Sequence, residues 1–272
     1  MTESKTSKKK QGKAIVVTSG KGGVGKTTAT ASIGAALALK GKRTLVIDAD
    51  IGLRNLDVIL GLENRIVFNL VDVAKKVCKP SQALIRSKKT SNLYLLPASQ
   101  TDDKDVVSES EVASVIEQYK REFDFVLIDS PAGIEQGFKN AVAGADEAIV
   151  VTTPEVSAIR DADRVVGLLS AREIEAKLLV NRVDMDLVRR GDMLSIIDVQ
   201  EILSLELIGV VERDDSIIVA ANTGEPVVFN KKSSAGTEFT NVAARLVGEN
   251  IPIKVKMNGF WGRVGRRLGV AS

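Results

Sequence analysis

The sequence predicts an α/β fold: one doubly wound, mostly parallel sheet with helices on both faces, of the P-loop NTPase type. Three observations carry this expectation. Short apolar segments alternate with helical patterns along most of the 272 residues. Those segments are apolar on both faces, as strands covered by helices on either side must be. A glycine-rich phosphate-loop pattern falls between the first strand and the first helix, where it has structural meaning.

Taken in order, the expected strands are Ala14–Thr18, Thr44–Asp48, Leu93–Pro97, Phe125–Ile128, Ala148–Thr152, Lys177–Val180 and Leu207–Val211. Helical stretches include Thr27–Lys40, Ser110–Lys120, Ser157–Ala171 and Ala235–Val247. Strands alternating with helices give parallel pairing, and such sheets bind ligands at the carboxyl ends of their strands. The expected division is a basic extension over 1–12, one α/β domain carrying the phosphate loop over 13–253 and a basic tail over 254–272.

Composition narrows the chemistry. There is no histidine and a single cysteine, Cys78. His-based acid–base catalysis, His-ligated metals, internal disulfides and a multi-cysteine cluster built by one chain are therefore excluded. No apolar run is long enough to span a bilayer, and the Lys/Ser-rich start lacks the apolar core of a secretory signal. The net charge of +3 hides an asymmetry: residues 1–13 carry +4, residues 254–272 carry +5, and the body between them carries −6. An acidic body argues against a broad nucleic-acid-binding face, so no nucleic acid is expected as a partner.

The phosphate loop reads Gly20-Lys21-Gly22-Gly23-Val24-Gly25-Lys26-Thr27-Thr28. Its glycines let backbone N–H groups turn toward phosphate oxygens at a helix N-terminus. Lys26 is expected to reach the β- and γ-phosphates and the Thr27 hydroxyl to ligate Mg²⁺. Lys21 is surplus to that task. Two further segments run from an apolar strand into acids, at Asp48-Ala49-Asp50 and at Asp129-Ser130-Pro131-Ala132-Gly133. A carboxylate at the nucleotide edge of a strand can hold the water shell of Mg²⁺.

The sequence Lys21-Gly22-Gly23-Val24-Gly25-Lys26-Thr27-Thr28 resembles the deviant phosphate loop of the ParA/MinD/nitrogenase-iron-protein class. Several stretches are similar to the MinD family in particular: Asp48–Asp57, Leu95–Thr101, Asp129–Glu135, Pro154–Ser157 and Arg190–Leu194. The resemblance implies an ATP- and Mg²⁺-dependent ATPase that forms a homodimer on binding ATP. It implies that Lys21 reaches the phosphates of the opposite subunit, that Asp50 orients the attacking water, and that Asp129 joins the Mg²⁺ shell with Asp48 in support. Asn181, followed by Arg182, stands where the family reads adenine. Glu212-Arg213-Asp214 replaces the family's Pro-Glu-Asp at a second base contact, which leaves that contact open.

Implied partners are a MinC-like division inhibitor, a MinE-like ATPase activator and an anionic membrane surface. Arg54, Asn55, Glu155, Ser157, Asp161 and Asp163 match the segments facing those proteins. On a helical wheel Met257, Phe260, Trp261, Val264 and Leu268 share one arc, while Arg263, Arg266 and Arg267 lie outside it. That is the pattern of a helix lying in the headgroup region. Four glycines in the tail weaken helix formation in water, so folding on lipid and pairing of two tails in a dimer are expected to govern binding. The expected location is cytoplasmic, or plastid stroma, with cycling to the inner membrane. A DNA-partitioning ParA-type ATPase and a flagellar-placement relative share the loop and stay open as alternatives.

Overall fold

The computed structural model describes residues 11–103 and 105–253. The tail residues from Met257 to Leu268 and the lysines before Gln11 lie outside that range.

Eight strands form one sheet: β1 (Lys13–Thr18), β2 (Thr44–Asp48), β3 (Ile85–Arg86), β4 (Leu93–Leu96), β5 (Phe125–Asp129), β6 (Glu147–Thr152), β7 (Glu175–Val183) and β8 (Glu206–Glu212). Their spatial order is β3-β4-β2-β5-β1-β6-β7-β8. All pairs are parallel except β3 with β4. β1 is central, and the chain builds outward from it in two opposite directions. The carboxyl end of β1 is thus the place where the strand order reverses, the usual ligand crevice of an open α/β sheet.

Eleven α-helices are described. Between β1 and β4 lie α1 (Lys26–Leu39), α2 (Leu56–Ile59), α3 (Leu70–Ala74) and α4 (Pro80–Ala83). α5 (Glu109–Lys120), α6 (Gln136–Val142) and α7 (Val156–Ser170) follow in the middle of the chain. α8 (Met185–Arg190), α9 (Ile196–Leu203), α10 (Ser216–Thr223) and α11 (Ser234–Leu246) complete the fold.

Alternation along β1 shows why the sheet is covered on both sides. Ala14 and Val16 pack into a core with Val112, Ile116, Phe138, Ile159 and Val199, beneath α5, α6, α7 and α9. Ile15 and Val17 face the opposite core with Ile33, Leu37, Phe239 and Val242, beneath α1 and α11. Every residue from Ala14 to Thr18 is fully buried. Two apolar faces with a period of two are what a central parallel strand requires.

The long helices carry their own start signals. Ser108 caps α5 and forms a capping box with Glu111, and Ser195 does the same for α9 with Asp198; each box satisfies otherwise orphaned N–H groups. Ser233 caps α11 by accepting from Gly236 N–H. The expected strands and long helices are all present, shifted by a residue or two at most ends. β7 is the largest shift, running to Val183 rather than Val180.

Candidate functional site

The site is assembled at the carboxyl ends of β1, β2, β5 and β7. Residues 19–25 form the loop, and α1 begins at Lys26. Gly25 takes φ +99, and a Cβ there would lie 2.4 Å from Asn181 Nδ2. Both the left-handed backbone and the close approach demand glycine. Gly20 is packed as tightly on another side. A Cβ on it would lie 2.1 Å from the backbone carbonyl of Asp161 in α7. The loop is thereby wedged between β7 and α7.

Lys26 and Lys21 stand in opposite surroundings. Lys26 is buried; burial lowers its pKa, and the charges of Asp129 and Asp50 partly oppose this. Lys21 points away from the loop's interior. Its ammonium donates to Ser157 Oγ at 3.0 Å and lies 3.9 Å from Glu155 Oε2, at the start of α7. The first lysine is therefore parked on its own chain by two of the residues that sequence assigned to the partner-facing surface.

Asp129 ends β5 and is in register with Asp48 at the end of β2. Its Oδ1 accepts from Thr30 Oγ1 at 3.1 Å. Burial and then the charge of Asp48 push its carboxyl up to about 7, against the stabilising effect of Thr27, Lys26 and Thr30. Asp48 is likewise raised, by burial first, while backbone amides oppose the shift. Those amides define its task. One oxygen accepts from Asp50 N–H at 3.0 Å, and the other accepts from Asn55 and Leu56 N–H, each at 3.1 Å. Asp48 thus staples the loop after β2 to the start of α2, an arrangement the pairing of acids alone did not reveal.

This donor set suits a magnesium-bound triphosphate. Two neighbouring buried carboxylates, Asp48 and Asp129, both have raised pKa values and only Asp129 feels the buried Lys26 ammonium, so added positive charge beside Thr27 and Asp129 is favoured. Among the described residues no group of three His, Cys, Asp or Glu could grip a metal alone. Mg²⁺ bound mainly by water and phosphate oxygens, with one hydroxyl and a neighbouring carboxylate, needs no such cage.

The other site residues fall around this centre. Gly22 faces Ala132, and Gly133 N–H donates to Ser19 O, so the loop after β5 touches the phosphate loop. Asn181 is buried at the end of β7, donating from Nδ2 to Val24 O at 2.8 Å. Its Oδ1 accepts from Arg182 N–H at 2.9 Å. One N–H and one lone pair of the carboxamide remain for a base. Arg182 is exposed with φ +55. Arg54 pairs with the fully buried Asp57, whereas Asn55, Glu155, Ser157 and Asp163 are exposed.

Asp214 is a residue whose part the sequence did not disclose. It accepts from Ser216 N–H, Ser233 Oγ, Ser234 Oγ and Ala235 N–H at 2.6–3.2 Å. These bonds hold its carboxyl well below the usual carboxylate range, outweighing desolvation. It ties the loop after β8, on the expected base side, to the start of α11. In sequence it stood only within Glu212-Arg213-Asp214, the stretch left open as a second base contact.

A phosphate loop at the reversal point of the sheet, with two lysines and strand-end aspartates around it, defines a P-loop ATPase of the deviant-loop class. Comparison with known proteins agrees. A family profile described as AAA domain matches residues 12–178. The septum site-determining protein MinD of Bacillus subtilis is 51% identical over 267 residues, covering 96% of this chain and all of that protein. The MinC:MinD cell division protein complex of Aquifex aeolicus matches with a TM-score of 0.84 and 48% identity over 89% of this chain and 98% of that one. The MinD of Pyrococcus horikoshii complexed with Mg-ADP matches with a TM-score of 0.80 and 29% identity, over 87% and 96%. The chain belongs to the MinD family of septum site-determining ATPases.

Proposed function

We propose that the protein is a nucleotide-switched ATPase that positions a division site, dimerising on ATP, residing on membrane as a dimer, and leaving it on hydrolysis. One observation carries this reading. Lys26 is the buried cation of the loop, while Lys21 is directed outward to the exposed start of α7. A second lysine held outside its own phosphate site is available to another subunit's phosphates. Exposed Leu53 and Ile134, on the loops after β2 and β5, and exposed Val156, at the start of α7, supply apolar surface that a second copy would cover.

In this mechanism the backbone N–H groups of Gly22–Thr27 and the Lys26 ammonium hold the phosphates, and Asn181 contributes to base recognition. Mg²⁺, when bound, neutralises charge on the β- and γ-phosphate oxygens. Thr27 and Asp129 would hold it, directly and through its water shell. Asp50, on the loop stapled by Asp48, orients the attacking water. Loss of the γ-phosphate releases the loops around Asp50 and Gly133, the usual way such switches respond.

Membrane residence rests on the basic tail carrying Met257, Phe260, Trp261, Val264 and Leu268; among the described residues no helix is long and apolar enough to cross a membrane. Two weak anchors joined in a dimer bind far better than one. The neighbouring Aquifex structure is a complex with MinC, which supports a MinC-like inhibitor as partner here, with a MinE-like activator triggering release. The reading implies a cytoplasmic or stromal protein cycling to the inner membrane.

Vesicle sedimentation of the full chain with ATP, ADP or no nucleotide tests this. Binding is expected with ATP alone, and truncation after Pro252 should abolish it. Lys26→Ala should lose the nucleotide dependence, and Asp50→Ala should stay on lipid because hydrolysis stalls. Equal sedimentation of a nucleotide-free monomer would overturn the proposal.

A further inference from the structure

Asn181 carries the buried carboxamide near the end of β7, and each of its two polar atoms is held by backbone. Nδ2 donates to Val24 O in the phosphate loop at 2.8 Å, and Oδ1 accepts from Arg182 N–H at 2.9 Å. The side chain is also wedged against Gly25, where a Cβ would lie 2.4 Å from Nδ2.

Both holding groups are themselves fixed. Val24 is buried within the phosphate loop. Arg182 takes φ +55, a left-handed backbone that is disfavoured for a residue with a side chain. It falls where the register of β7 on β8 shifts, between the pairs Val180 with Val210 and Val183 with Glu212. Just beyond, Arg213 N–H donates to Val183 O. Strain of this kind persists only where its surroundings over-determine it. Here strand pairs on both sides hold Arg182, and its N–H is delivered to Asn181.

A carboxamide is nearly symmetric in shape, and a half-turn exchanges its oxygen and nitrogen. Free to turn, it could meet either kind of purine. The exocyclic amino group of adenine donates, whereas the exocyclic oxygen of guanine or hypoxanthine accepts. Asn181 is not free to turn. Val24 O can only accept and Arg182 N–H can only donate. The turned carboxamide would therefore set two acceptors together at one end and two donors at the other. At a buried position neither pair could bond to water instead. We propose that Val24 O and Arg182 N–H form an orientation lock on the Asn181 carboxamide, which makes the site select adenine nucleotides over hypoxanthine nucleotides. The inference rests on the reading that Asn181 faces the base, and it adds what makes that contact selective. Because half of the lock belongs to the phosphate loop, the base is read only while that loop is in place.

The test is titration calorimetry of the full chain with Mg-ADP and with magnesium inosine diphosphate, neither of which carries a γ-phosphate to hydrolyse. The unaltered protein should bind ADP roughly 30-fold or more tighter than inosine diphosphate, the discrimination expected of a fixed hydrogen-bonding pair. In Asn181→Ala the two affinities should come within about threefold of each other, through weaker ADP binding. Retained binding of inosine diphosphate in that variant certifies a folded site. Comparable affinities in the unaltered protein, with Asn181→Ala weakening both, would reveal a carboxamide that flips and would overturn the lock. Selectivity that survives in Asn181→Ala would also overturn it, by assigning base selection to another group. Should the variant not fold, the unaltered protein still decides, because equal binding of the two nucleotides rules out a lock. No change for either nucleotide in Asn181→Ala would refute the reading that Asn181 faces the base, a separate outcome.

Discussion

At the scale of single residues, the carboxylates at the sheet's edge divide by what surrounds them. Asp129 is buried against Asp48, so its ionised form is costly until a cation arrives. Asp129→Asn removes that repulsion while keeping an oxygen for Thr30. The nucleotide-free protein is expected to gain about 1 kcal/mol in urea unfolding, while Mg²⁺-dependent hydrolysis falls by roughly a hundredfold or more. Asp214 behaves oppositely, because its four hydrogen bonds favour the charged form. Asp214→Ala is expected to cost about 2 kcal/mol of stability. It should also weaken ATP binding by about tenfold through loss of order beside the base, measurable by titration calorimetry. Asp214 stayed hidden in the sequence because its partners Ser233 and Ala235 lie some twenty residues away. An acid after a strand reads like any loop acid until that return is seen.

Elements explain which parts were legible. Strands such as β1 and β5 announce themselves because both faces are apolar, and α1, α5, α7 and α11 by their helical patterns; the Ser caps of α5 and α9, each followed three residues later by an acid, were not read, and α9 was not expected. The pieces between β2 and β4 were not readable. α2, α3, α4 and β3 are two to five residues long, too short for periodicity to emerge. They are held by local devices such as the capping box of Asn69 with Asp72. β7 exceeded its expected length because Asn181 and Arg182 are polar, yet the strand carries them past the neighbouring edge. The phosphate loop was legible as a motif, but its seat against α7 was not. Gly20→Ala tests that seat. A Cβ driven into the Asp161 carbonyl should cost about 3 kcal/mol, read as a lower urea midpoint together with weaker ATP binding.

For the whole molecule, the raised carboxyls fix a pH dependence. An acid whose native pKa lies above its unfolded value binds extra protons in the folded state, so stability falls as pH rises between the two values. With Asp129 pushed up to about 7, the nucleotide-free protein is expected to lose stability from about pH 4 to pH 7 on account of this group. The effect should shrink in Asp129→Asn and with Mg-ATP bound, both visible in thermal melts across pH. Asp214 sets the acid limit, since its contribution is complete above the ordinary carboxylate range and is lost only as pH falls well below it.

The three amide bonds accepted by Asp48 have a mechanical consequence. Asp50, Asn55 and Leu56 hang from one rigid carboxylate at a strand terminus, so the intervening residues move as a single lever. Its outer end carries exposed Asn55, and its inner end carries the residue assigned to water. Pressure on the outside need not reach the nucleotide to be felt there; tilting the lever is enough to realign Asp50.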